Sequence, residues 1–127
     1  MNPLVKEWLY QAEYDLETAR SLYHARRYIY TVFMCHLSIE KALKAFVVKI
    51  TEKAPPKTHN LIVLLKLGNA LLTTEQINFI SRLSLAGIIT RYPEDLKQAI
   101  GEYPRHIVID YLKRTEDVIK CLKQQIE

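Results

Sequence analysis

The sequence predicts an all-α protein, an up-and-down helical bundle of four long helices plus a short one. Three observations lead there. Apolar residues recur at intervals of three and four over long stretches, the spacing of one helix face. Only 3 of the 127 residues are glycine, too few for a chain of strands and tight turns. The strongest breaks, Pro55-Pro56, Gly68-Asn69 and Pro93, fall between periodic segments. The length fits one domain over residues 1–127, large enough to bury about two-thirds of its unfolded surface.

The first helix starts at Asn2-Pro3, a cap followed by a first-turn proline, and runs to about Tyr23. Its apolar stripe is Val5, Trp8, Leu9, Ala12, Leu16, Ala19 and Tyr23. The second, about Arg27 to Ile50, is apolar around most of its circumference, as the central helix of a bundle must be. "TEKAPPKTHN" is the clearest loop and ends with Thr58 or Asn60 as the next cap. A short third helix, about Leu61 to Leu67, stops at Gly68-Asn69. The fourth follows the capping-box pair Thr73 and Gln76 and ends near Ile89, where Pro93 disfavours helix in the residue before it. The chain from there to Tyr103 carries no clear period. Pro104 then opens a last helix to about Ile126, with Ile107, Tyr111, Leu112, Val118 and Leu122 on its buried side.

Composition narrows the function classes. With 18 Lys+Arg against 14 Asp+Glu the chain carries +4, which permits an anionic partner without demanding one. There is no glycine-rich phosphate loop, no nucleophile elbow and no metal-ligand spacing, so no cofactor and no metal is predicted. Cys35 and Cys121 read as reduced thiols of a cytoplasmic protein. The segment "MNPLVKEWLY" has no apolar core of a signal peptide, and no run approaches 18 apolar residues, so neither export nor a membrane span is expected.

The informative residues break the apolar stripes. Asp15 lies two turns beyond Trp8, and the second helix reads Ile29, Phe33, His36, Glu40, Leu43, Val47, Ile50. Three ionisable groups, Asp15, His36 and Glu40, therefore face one interior or cleft. Two carboxylates exceed the one charge His36 can carry, and unpaired buried charge costs several kcal/mol, roughly. A further cation is required, and Arg91 is predicted within salt-bridge distance of Asp15 or Glu40. The group fits a buried network fixing helix register, or the lining of a ligand pocket; a metal site is disfavoured because both Glu-x-x-His motifs of di-metal bundles are missing. Lys41 and Lys44 are placed off the apolar stripe, forming with His59 a candidate anion-facing surface. Tyr10 and Tyr14, one turn apart off the core face, suit a partner surface.

The same residues carry a resemblance. "WLYQAEYDLETA", "CHLSIEKALKAF", "PPKTHNLIVLL" and "RYPED", in this order across nearly the whole chain, resemble the prokaryotic HEPN domain family (higher eukaryotes and prokaryotes nucleotide-binding). The resemblance implies a helical bundle that pairs as a homodimer and partners a minimal nucleotidyltransferase, often in a two-gene toxin-antitoxin or stress system. Some members bind nucleotides; others are metal-independent endoribonucleases using an arginine followed, after four to six residues, by a histidine. Here Arg20 to His24 leaves three residues, Arg27 to His36 eight and Arg91 to His106 fourteen, so no catalytic residue is carried over. The expected function is nucleotide binding or nucleotidyltransferase association without catalysis. Lys41, Lys44, His59 and Arg91 are assigned to phosphate, Tyr92 to stacking on a base, and Asp15, His36 and Glu40 to the cleft network. Two alternatives remain. One is a ribonuclease using His36 or His106 with Arg91 or Arg105, acting on RNA; the other is a structural docking partner using Tyr10, Tyr14 and the last helix.

Overall fold

Helix α1 (Pro3–His24) begins where Asn2 Oδ1 accepts the Leu4 N–H at 2.8 Å, with Pro3 at the first helical position. The protein is seen in a computed structural model that describes residues 1–89 and 96–127, and five more helices follow: α2 (Tyr28–Thr51), α3 (Leu61–Gly68), α4 (Thr74–Ile89), α5 (Leu96–Glu102) and α6 (Arg105–Ile126). No strand occurs among the described residues. The all-helical bundle is as predicted, with α5 added in the stretch that showed no period. Its seven residues bury only Ala99, so they carry no stripe to read.

α2 is the axis of the bundle and packs against all five other helices. Fifteen of its 24 residues are buried, which is why its sequence is apolar nearly all round. Ala12 and Ala19 on α1 leave room for close approach, and Ser38 donates to the Ala12 carbonyl at 2.7 Å. The expected stripe on α2 is buried except at Phe33 and Ile50. Phe33 is half-buried, and Ile50 is exposed because the last turn of α2, from Lys49 on, emerges from the bundle.

Local signals set the helix ends. Asn60, not Thr58, caps α3, accepting from the N–H groups of Ile62 and Val63. Thr58 instead accepts from the Asn60 N–H. Thr73 and Gln76 form the reciprocal capping box of α4, at 2.9 and 3.1 Å. α3 ends at Asn69 in the left-handed region (φ 53°), a conformation asparagine tolerates, while Gly68 before it lies against Phe46. Both cysteines are free. No helix among the described residues is long and apolar enough to cross a membrane.

Candidate functional site

His36, Glu40 and Lys44 follow one another at helical spacing along α2 and share a face. Glu40 is almost fully buried (3% exposed). Its Oε2 accepts from Lys44 Nζ at 3.2 Å, and His59, from the loop before α3, places Nδ1 3.0 and 3.1 Å from the two carboxylate oxygens. An ionised carboxylate only accepts, so opposite it the His59 tautomer that carries its proton on Nδ1 makes this bond and leaves Nε2 for other contacts. His36 Nδ1 stands farther off, 3.7 Å from Oε1.

The cluster extends to α1. Lys44 Nζ sits 5.2 Å from the centre of the Trp8 ring, within cation–π range. Lys41 reaches Asp15 across the α1–α2 seam at 2.8 Å. The charge excess seen in the sequence is thus met from α2 itself, by Lys41 and Lys44. This corrects the outward placement of Lys44, whereas Lys41 stays partly exposed at the edge of the seam. Lys44 is one turn from Glu40 on the same face, and its side chain is only 8% exposed. Lys41 keeps 22% of its side chain exposed, and His59 64%.

His36 is buried because α4 makes room for it. A Cβ on Gly87 would come 2.1 Å from His36 Cδ2, so only a glycine allows α4 this close. The sequence did carry a signal for this contact, a lone glycine inside a helical pattern. The His59–Glu40 and Trp8–Lys44 contacts carried none, since both depend on tertiary approach. Arg91 and Tyr92, and with them the expected Arg91 ion pair, lie outside the described residues. No three His, Cys, Asp or Glu side chains stand together as a metal site among the described residues. The cavities of about 520 and 420 Å³, between α1 and α6 and at the paired chain ends, include none of the cluster's residues.

Five helices packed on a central α2, with a buried carboxylate beneath an exposed histidine, define an all-α bundle with a charged cluster at the α1–α2–α3 junction. The HEPN domain profile matches residues 5–125, and the chain belongs to that family. Two solved structures share the fold. TT1696 from Thermus thermophilus is 21% identical, with 98% of each chain covered and a TM-score of 0.82. ST0689, an archaeal HEPN homologue, is 22% identical, covering 97% of this chain and 98% of that one, with a TM-score of 0.78. A search of the curated proteins finds no match.

Proposed function

We propose that this HEPN chain is a nucleotide-binding module, associated with a nucleotidyltransferase and without catalysis of its own. The observation that carries the reading is the His59–Glu40 pair. A buried carboxylate fixes the ring of an exposed histidine, so Nε2 is held in one direction at little entropic cost. On protonation that nitrogen becomes a donor suited to a phosphate oxygen. Partly exposed Lys41 adds a second cation, while Lys44, buried on Glu40, acts by positioning the carboxylate rather than by touching ligand. Arg91 and Tyr92 keep their assigned roles, phosphate contact and base stacking, as part of the proposal.

The wider setting is part of the same proposal. The protein acts as a homodimer, in the cytoplasm, as one half of a two-gene toxin-antitoxin or stress system. Two free thiols fit that compartment. Calorimetric titration with ATP, GTP and AMP tests the binding claim, and no heat of binding at millimolar ligand overturns it.

The same pair favours a second reading, a metal-independent endoribonuclease. A histidine hydrogen-bonded to a buried carboxylate is also the arrangement of an acid–base group. His36, 1% exposed beneath Gly87, is out of reach of any substrate; exposed His106 remains of the two histidines expected for this role, and His59 joins it through its contact with Glu40. RNA cleavage that disappears in His59→Ala or His106→Ala would establish this reading in place of the first.

A further inference from the structure

The opposite end of α2 carries a different concentration of charge. Arg26 and Arg27, in the turn between α1 and α2, are both exposed and neither has an ion-pair partner among the described residues. Arg105, the first residue of α6, comes to the same place, its Nε donating to the Tyr23 hydroxyl at 3.1 Å and its guanidinium 5.9 Å from that ring's centre. Exposed His24 and His106 flank the three arginines. The Glu102 carboxylate at the end of α5 is engaged by Gln98 at 3.1 Å.

Aromatic rings are interleaved with these cations. Tyr23 packs against both His24 and Tyr28, each with ring centres 5.7 Å apart. Tyr30 is 48% exposed. A cavity of about 330 Å³ joins the turn to α5, lined by Arg26, Arg27, Tyr28, Tyr30, Ile100 and Tyr103 among others. Two of the three arginines, Arg26 and Arg27, therefore share its lining with the rings.

We propose that this end of the bundle, Arg26, Arg27 and Arg105 around Tyr28 and Tyr30, binds single-stranded nucleic acid. Exposed arginines supply the contacts that track a phosphate backbone, and exposed Tyr30, with half-buried Tyr28 beside it, supplies a face on which an unstacked base sits. An acidic protein segment would use the cations but leave the rings unused. A duplex would offer no base face to the tyrosines. The site is separate from the His59–Glu40 cluster, since Tyr28 and Lys41 are 13 residues apart on one helix, about 20 Å along its axis. It stands whether or not that cluster binds nucleotide.

The test is fluorescence anisotropy with a labelled single-stranded oligouridine of about ten nucleotides, a length within the range of such sites. Arg26 has φ 63°, so Arg26→Asn is the replacement that keeps the turn, combined with Arg27→Ala. The expected result is binding by the wild-type protein that weakens as salt rises. The double variant should weaken it about tenfold or more and flatten the salt dependence by about 1.4 in log–log slope, for two lost phosphate contacts. Tyr30→Ala should weaken binding about fivefold or more with an unchanged salt slope, because stacking is not ionic. Unchanged melting temperatures of the variants identify these losses as losses of contact. No binding at low salt, wild-type affinity in the double variant, or equal affinity for duplex RNA or polyglutamate would each overturn the proposal.

Discussion

The imidazole of His36 occupies the space that any side chain on Gly87 would need, with a Cβ there coming within 2.1 Å of His36 Cδ2. Glycine in a helix interior is ordinarily a liability of about 1 kcal/mol against alanine. Here the sign reverses, because forcing a methyl group into a filled space costs about 1–3 kcal/mol and separates α4 from α2. Gly87→Ala should therefore lower the melting temperature. In a His36→Ala background the obstruction is gone, and the same substitution should be neutral or stabilising. Thermal unfolding of the two single variants and the double measures that change of sign.

Glu40 compensates a lysine that has little access to water. Glu40→Gln keeps the shape but removes the charge, leaving Lys44 buried at 8% side-chain exposure without its counterion. Breaking a buried pair from one side costs about 3–5 kcal/mol. Adding Lys44→Met should recover much of the loss, since the remaining group is then apolar. Urea unfolding midpoints of the three proteins should show the double variant above Glu40→Gln.

Asn60 both caps α3 and adjoins His59. Its side chain accepts two N–H groups of the first turn, at 3.0 and 3.2 Å. Asn60→Ala should cost about 1 kcal/mol, and Asn60→Asp, which keeps the acceptor, should cost much less. Denaturant titration of the two variants reads the difference.

The stability profile on the alkaline side follows from Cys35 and Tyr103. Burial pushes the Cys35 thiol from 9.0 up to about 12, and burial pushes the Tyr103 phenol from 10.0 up to about 12. A group whose folded value lies above its unfolded one contributes stability below the unfolded value and loses it as pH rises towards the folded one. Stability should hold below pH 9 and fall between about 9 and 12. Cys35→Ala should flatten the lower part of that fall. The same burial keeps Cys35 unreactive in the native protein, so a thiol reagent should modify half-buried Cys121 first.

What the sequence made legible was local. Asn2-Pro3, the Thr73–Gln76 pair and Pro104 mark helix starts because capping chemistry works over three or four residues, and the structure places α1, α4 and α6 behind them. Asp15, His36 and Glu40 stood out for a similar reason: a polar group in a periodic apolar stripe is visible from spacing alone. Their partners were harder to read. Glu40 and Lys44 are one turn apart, yet the width of the buried face of α2 depends on how many helices surround it. His59 meets Glu40 across 19 residues and a double proline, and the lone glycine in α4 signals a close approach without saying that His36 fills it. Contacts of that kind are set by tertiary approach, which no local pattern encodes.

The most direct test of the nucleotide reading is calorimetric titration of ATP, GTP and AMP into the wild-type protein and His59→Ala. Binding that saturates below millimolar ligand is expected for the wild type. His59→Ala should bind about tenfold more weakly, the value of one charge-assisted hydrogen bond, while melting close to the wild-type temperature because the ring is largely exposed. Absence of binding at millimolar nucleotide, or undiminished affinity in the variant, would contradict it.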